Sequence, residues 1–288
     1  MSILEFNLEK RGGARIWISQ SYTDPLFVDL LADPDRLLSD AQCHVIKDQE
    51  KIKVGQLTVN IGSGAARSLY VKRYNAFSLR YTLLSTIVRS GALRSLQGAE
   101  ILKKAGIPIA TPVAAVENRR CGMIRKSFFV SEEISGGKTA DAYWIDELQH
   151  RKGHEGFRSR LDFLRQLAGL FHSLHAQRIY HNDLKDANIL VVVHRNGESI
   201  ELLLLDLEGV RRYSRLSERR RVKNLVQLYR TLGRYVPSPQ RLFFLKCYLG
   251  PSFVDRHLKR KLIRRVLRLA RQVEHLKARR AIINTNFK

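Results

Sequence analysis

One stretch constrains this chain more than any other. His181-Asn182-Asp183-Leu184-Lys185-Asp186-Ala187-Asn188 runs into an apolar segment, Ile189-Leu190-Val191-Val192-Val193. A second apolar segment, residues 202–205, ends on Asp206-Leu207-Glu208-Gly209. The order is carboxylate, four intervening residues, carboxamide, strand, turn, strand, carboxylate. Two adjacent strands bring Asp183, Asn188 and Asp206 to one rim. Hard oxygen donors gathered in this way suit Mg²⁺ held against a triphosphate.

Charge narrows the partners. The 288 residues carry a formal net charge of +24, and the isoelectric point is near 10.4. A field of that size attracts phosphate, whether on nucleic acid, an anionic membrane face or a phosphorylated substrate. A soluble enzyme from a basic proteome is the plainer alternative. The length allows one large domain or a two-lobed unit, and 44% hydrophobic residues suffice for a packed core. Cys43, Cys121 and Cys247 form no CxxC pair, so no zinc site and no disulfide partner are expected, and a reducing compartment fits. Glu5, Glu9 and Lys10 fall where a signal peptide needs an apolar core. No apolar run reaches the length of a membrane span, so any membrane contact is expected to be peripheral.

Taken in order, residues 1–40 are expected to form an extension packed on the first lobe. Arg15-Ile16-Trp17-Ile18 suits a short strand. Asp24-Pro25 suits a helix start with Phe27, Leu30 and Leu31 on its apolar face, and Asp33-Pro34 starts another turn. Strand periodicity then predicts segments at 44–47, 52–61 and 68–74, joined as an antiparallel meander, with Lys72 on the third. Gly62-Ser63-Gly64 falls between the second and third strands, and no GxxxxGK[ST] phosphate loop occurs. Residues 76–105 read as helical with a break near Ser90-Gly91, closed by Gly106 and Pro108. Residues 112–116 and 127–130 complete a five-stranded sheet. Ser131-Glu132-Glu133-Ile134-Ser135-Gly136-Gly137 reads as a hinge whose backbone near Glu132, Glu133 and Ile134 meets an adenine edge, or as an ordinary strand exit. Beyond it the chain is mainly helical: 141–176 with a broad apolar surface, a basic run from Arg211 to Lys223, an amphipathic helix at 224–232, another at 242–249, and a last one over about 253–280 with a dense Arg/Lys face.

The residue types fit phosphoryl transfer, which needs a positioned nucleophile, neutralised phosphate charge and in-line geometry. Asp183 suits orientation of an acceptor hydroxyl and acceptance of its proton. Asn188 and Asp206 suit Mg²⁺. Lys72 suits the α- and β-phosphates of ATP, and Lys185 the γ-phosphate. Glu100 is the acidic helix residue available to hold Lys72; its other reading is a surface pair with Lys103 or Lys104. His181 reads as a brace for the loop.

The segments SLYVKRYN, AEILKKAGIPIATPVAAVE, FFVSEEISGG, YHNDLKDANILV, LLLLDLEGV and LSERRRVKNLVQLYRTL together resemble the lipopolysaccharide kinase family of Kdo kinases and WaaP-type heptose kinases, over roughly residues 43–250. The resemblance implies an α+β, bilobal protein-kinase-like fold. Residues 41–134 would form an ATP-binding N-lobe, with five antiparallel strands plus a helix. Residues 135–288 would form a mainly helical C-lobe carrying the catalytic loop, metal loop and acceptor site. It implies ATP-dependent phosphorylation of a Kdo or heptose hydroxyl on lipid A–core. Localisation would be cytoplasmic, peripheral to the inner membrane of a Gram-negative bacterium. By that resemblance Asp183 is the catalytic base, Asn188 and Asp206 bind Mg²⁺, and Lys72 binds ATP. Departures from protein kinases sharpen it: Asn182 replaces the HRD arginine, Asp206-Leu207-Glu208 replaces DFG, and no APE-like segment follows. A glycolipid acceptor fits better than a peptide, with Arg211, Arg212, Arg215 and Arg219 placed to hold its phosphates and carboxylates. The competing reading is an atypical, RIO-like or bacterial protein kinase with a basic surface for RNA or protein. Nucleic acid is not expected as a partner, because the 211–223 run offers only Tyr213 as a stacking platform.

Overall fold

The computed structural model describes residues 6–61, 66–75, 88–194 and 199–285. The Gly62-Ser63-Gly64 segment and the helix expected before residue 88 lie outside the described residues. The chain divides into two compact units: residues 1–135 with 206–210, and residues 136–205 with 211–288. The protein is α+β, with one large antiparallel sheet in the first unit.

That sheet has seven strands in the order β1-β2-β6-β7-β5-β4-β3: β1 (Phe6–Arg11), β2 (Ala14–Ser19), β3 (His44–Gln49), β4 (Ile52–Asn60), β5 (Ala66–Asn75), β6 (Pro112–Arg120) and β7 (Met123–Glu132). The five strands expected from periodicity are β3 to β7. Two more come from the N-terminal segment. Left open, β6 would present a row of unpaired backbone groups. β2 covers that edge in antiparallel register, from Ala14 opposite Asn118 to Ile18 opposite Ala114, and its alternation buries Ala14, Ile16 and Ile18. β1 gives no comparable signal, since its six residues, FNLEKR, are half-buried or exposed.

Each face of the sheet has its own cover. On one face, Ile16, Ile18, Leu69, Val71, Phe128 and Val130 pack with residues of α1 (Pro25–Leu31) and α2 (Asp35–Ser39). The Asp24 carboxylate caps α1 by accepting from Phe27 N at 3.0 Å. Asp35 ties α2 to the sheet through Arg73 at 2.8 Å and through Lys126. Burial works to raise the Asp35 pKa, but these two cations outweigh it and hold the carboxyl below its usual value. On the other face, Tyr74, Ala115 and Phe129 pack with Ala92 and Leu96 of α3 (Gly91–Lys104).

The second unit is mainly helical: α4 (Ala140–Tyr143), α5 (Gly153–Ala176), α6 (Glu218–Arg230), α7 (Ser238–Leu249) and α8 (Arg256–Thr285). Within it, β8 (Lys138–Thr139), β10 (Ile189–Val193) and β11 (Ile200–Leu204) form a small sheet in the order β11-β10-β8. The buried stripe of α5 includes Phe163, Leu164, Leu167, Phe171 and Leu174. Tyr143 and Trp144 close on the Phe163 ring at 5.7 and 5.9 Å, and Phe244 of α7 meets Phe171 edge-on at 5.9 Å. An apolar cavity of 440 Å³ lies among α5, α6, α7 and α8, and no residue of the 179–190 segment lines it.

Ile18 is fully buried, so Ile18→Ala is expected to lower unfolding free energy by about 2–5 kcal/mol. A urea melt with an unchanged m-value checks it.

Candidate active site

The expected site residues fall on two structural pieces. In the first unit, strand alternation sets Lys72 and Tyr74 on the α3 side of β5, opposite Val71. Lys72 Nζ donates to Asp206 Oδ1 at 2.6 Å and lies 5.0 Å from the centre of the Tyr74 ring. The Tyr74 hydroxyl shares a 2.8 Å hydrogen bond with Ser95 of α3. Burial pushes the Tyr74 phenol up to about 12, so it is neutral at pH 7. Burial works to lower the Lys72 pKa, but Tyr74 and Asp206 outweigh it and the value rises. With the phenol neutral, Asp206 is what holds the ammonium charged near neutrality.

Asp206 itself sits at φ 53°, ψ 57°, in the left-handed region. Aspartate tolerates that region better than most side chains, and the turn re-aims the chain into a 3-10 turn, Leu207–Gly209. Helix α3 presses on this turn. A Cβ built on Gly98 would stand 2.2 Å from Leu207 O, so only glycine allows the approach. One helical turn earlier, Arg94 donates to the Glu208 carboxylate.

The structure does not bring Glu100 to Lys72. Glu100 accepts from Lys104 at 2.7 Å, as a surface pair four residues apart. The buried face of α3 belongs to Ala92, Ser95, Leu96, Ala99 and Leu102. The adenine-edge expectation is also narrowed. The amide of Glu132 donates to Thr111 O and that of Glu133 to Ser68 O, both at 2.9 Å. The Glu132 side chain accepts from Tyr22. Of the three amides expected to face a base, that of Ile134 alone has no backbone partner among the described residues.

In the second unit, the loop after β9 (Ile179–His181) is fixed by polar side chains. His181 Nε2 donates to Leu205 O at 3.0 Å, and its Nδ1 accepts from Asp183 N at 3.2 Å, which defines a neutral tautomer. Asn188 Nδ2 donates to Asp183 O at 2.7 Å and to Asp183 Oδ2 at 3.1 Å. Lys185 Nζ lies 2.7 Å from the same Oδ2. Asp183, Lys185 and Asn188 therefore converge as the sequence pattern requires. With its amide nitrogen spent on Asp183, Asn188 keeps Oδ1 as a hard oxygen donor. Asp206 supplies a half-exposed carboxylate. These donor types fit Mg²⁺, which takes few protein ligands and completes its shell from water and phosphate. Among the described residues, no group of three or more His, Cys, Asp or Glu could hold a metal by itself.

Helix α6 clamps the loop from below. Asn224 Nδ2 donates to His181 O at 2.6 Å. Gln227 Nε2 donates to Asn182 O at 2.7 Å, and its Oε1 accepts from Leu184 N at 3.2 Å. Lys223 Nζ donates to Asn182 Oδ1 at 3.1 Å. Behind Asn224 stands His175, fully buried on α5, with Nε2 3.2 Å from Asn224 Oδ1 and Nδ1 2.8 Å from the Tyr248 hydroxyl. Burial lowers the His175 pKa to about 4, so the ring is neutral at pH 7, with Nε2–H donating to Asn224 and Nδ1 accepting from Tyr248.

The basic run divides by role. Arg212, Arg215 and Arg219 are exposed and Arg211 is half-buried, on strand β12 (Val210–Arg212), the following loop and the first turn of α6. Arg220 stacks on Tyr213 at 4.0 Å instead.

Comparison with known proteins supplies the family. The family model "Lipopolysaccharide kinase (Kdo/WaaP) family" matches residues 39–248. Among solved structures, a chain described as "WaaP in complex with acyl carrier protein" superposes with a TM-score of 0.64 at 19% identity, covering 86% of this chain and 97% of that one. No curated protein sequence matches significantly. The chain belongs to the lipopolysaccharide kinase (Kdo/WaaP) family. It is accordingly a phosphotransferase acting on a sugar hydroxyl, and its family implies use of ATP and a lipopolysaccharide substrate.

Sequence reading missed Arg94, Glu208, Asn224, Gln227 and His175. Asn224 and His175 carried one available signal, a polar side chain on an otherwise apolar helix face. The ion pair between Arg94 and Glu208 carried none, since the residues are 114 positions apart.

Two outcomes follow from this geometry. Arg94→Glu and Glu208→Arg are each expected to lower kcat, and combining them to restore about 5- to 30-fold of the loss, measured as a double-mutant cycle. For His175, the unfolded ring binds a proton near pH 6.5 and the folded one only near 4. Stability is therefore complete above pH 6.5 and falls by about 3 kcal/mol as pH drops to 4. Urea melts across that window should show the loss, and His175→Gln should remove its share of the slope.

Proposed function

We propose that the protein is an ATP-dependent kinase that phosphorylates a Kdo or heptose hydroxyl of the inner core on lipid A–core. Residues 41–134 serve as the ATP-binding N-lobe and 135–288 as the C-lobe of a protein-kinase-like fold, with 1–40 as an extension of the N-lobe. The observation that carries the reading is the Asp183 carboxylate, held by Asn188 Nδ2 and Lys185 Nζ on a loop whose backbone is clamped by Asn224 and Gln227.

In this reading Asp183 orients the acceptor hydroxyl and accepts its proton as the oxygen bonds to the γ-phosphorus of ATP and the bond to the bridging oxygen breaks, releasing ADP. Lys185 would bind the γ-phosphate and Lys72 the α- and β-phosphates. Asn188 Oδ1 and the Asp206 carboxylate are the groups that would hold Mg²⁺. Bound Mg·ATP supplies the phosphoryl group, its charge neutralised by the ion. The Ile134 amide and the carbonyls around Glu132 and Glu133 face the adenine edge. Arg211, Arg212, Arg215 and Arg219 hold the anionic groups of the glycolipid by charge-assisted hydrogen bonds. The enzyme works at the cytoplasmic face of the inner membrane, attached peripherally. Among the described residues no helix is long and apolar enough to cross a membrane.

Purified protein with Mg·ATP and dephosphorylated lipid A–core is expected to transfer the γ-phosphate to sugar. Asp183→Asn should cost about 10²–10⁴-fold in kcat with the fold intact. Transfer to protein substrates with none to the glycolipid would sink the assignment.

A further inference from the structure

A block of basic charge lies away from the catalytic loop, on α8. Arg256, Arg260, Lys261, Arg264, Arg265 and Arg268 line one shallow cleft along this helix, and no acidic residue lines it. At about 100° per residue these positions cover roughly half the circumference. The opposite stripe, with Leu262 and Ala270, is buried in the second unit. The nearby acids are already engaged. Glu218 pairs with Lys261 and Arg265, and Glu274 takes Arg230 at 2.8 Å and Arg234 at 3.4 Å. Asp255 spends its carboxylate on the helix N-terminus, accepting from His257 N at 2.8 Å and Leu258 N at 3.0 Å. Arg256, Arg260, Arg264 and Arg268 are exposed and have no acidic partner among the described residues.

Beside this row stands an apolar projection. Val254 is 84% exposed at the end of the turn that leads into α8, and Leu258 is 36% exposed in its first turn. Phe253 lies under Lys259, whose Nζ is 4.2 Å from the ring centre. Each raises cost in water, and a phosphodiester backbone gives neither an apolar place to go. The boundary between headgroups and acyl chains accepts both kinds of side chain: arginines at phosphate level and small apolar wedges just below it.

We infer that the basic face of α8, together with Val254 and Leu258, is the surface by which this protein docks on an anionic phospholipid bilayer. The inference rests on the proposal that the acceptor is a membrane glycolipid, and it identifies the element that carries the attachment. Arg211, Arg212, Arg215 and Arg219 keep their separate role toward the acceptor. Docking through α8 leaves transfer to a dispersed acceptor independent of the bilayer.

The test is vesicle sedimentation of the full chain at about 0.1 M salt, with phosphatidylcholine vesicles alone or with about one third phosphatidylglycerol. The wild type is expected to pellet with the anionic vesicles and to be released as salt rises. The triple variant R260Q/R264Q/R268Q should lose on the order of 100-fold in partitioning, from about fivefold for each charge. Val254→Asp should weaken binding with all arginines present. Both variants should melt as the wild type does and phosphorylate detergent-dispersed acceptor at the wild-type rate. Equal pelleting on neutral and anionic vesicles, or unchanged pelleting of the triple variant, overturns the inference. So does salt-sensitive binding to nucleic acid or an acidic protein with no gain on phosphatidylglycerol. Vesicle binding that survives a failure of sugar transfer supports the docking face while removing the sugar-kinase reading.

Discussion

Residues 182–185 connect strand β9 to a 3-10 turn at Asp186–Asn188 and must find hydrogen-bond partners outside regular structure, and much of what surrounds them follows from that need. Buried carbonyls and amides are costly when unpaired. Here they are answered by side chains: Asn224 on His181 O, Gln227 on Asn182 O and Leu184 N, and His181 on Leu205 O. Each answering side chain needs support of its own. Asn224 has it from His175, and His175 has it from Tyr248. The chain of contacts links α7, α5 and α6 to the loop through neutral groups. Nothing in it changes protonation near pH 7, since His175 titrates near 4 and Tyr248 is raised by burial. The Asp183 carboxylate, placed this way, keeps its geometry without a phosphorylated residue or an arginine at position 182. Asn182 instead takes Lys223.

Around Asp206 the charges are arranged differently from the expectation of a lysine held by a helical acid. Lys72 pairs with the aspartate directly, and the helix contributes a cation, Arg94, to an acid on the following turn, Glu208. The helix still governs the turn, but with the signs exchanged and the contact moved from the lysine to the loop. Gly98 completes the arrangement by letting backbone meet backbone. Neither Arg94 nor Glu208 is more than about a third exposed, so the pair is screened less than a surface bridge. Its main effect is positional: it fixes the segment that follows a left-handed Asp206.

The convergence of side chains on the 181–188 loop was legible in the sequence because it is local. Asp183, Lys185 and Asn188 lie within six residues, and a turn of that length brings them together whatever else the chain does. The strands β3 to β7 were legible by period. β2 was visible as Arg15-Ile16-Trp17-Ile18, but its place at the edge of β6 was not, because edge pairing is decided by which backbone groups are left over. β1 lacked even the period. Glu100 misled because an acid on a helix after a strand lysine has the right order and the wrong face. Arg94, one turn before Gly98, has the right face and was unremarkable among so many arginines. Long-range pairs of this kind leave no trace in spacing.

The net charge of +24 also resolves into unlike parts. Arg73 and Lys126 are structural, spent on Asp35. Arg220 covers Tyr213 and Lys223 holds Asn182, so part of the basic run at 211–223 serves the fold rather than a ligand. Subtracting such residues leaves Arg256, Arg260, Arg264 and Arg268 of α8 without an acidic partner among the described residues. Like charges crowded on one helix face repel each other, and helix propensity alone does not offset that. The apolar stripe on the far side offsets it by burial in the second unit. A face that raises the energy of the isolated protein is stabilised when an anionic surface is present, and the repulsion it stores becomes attraction there.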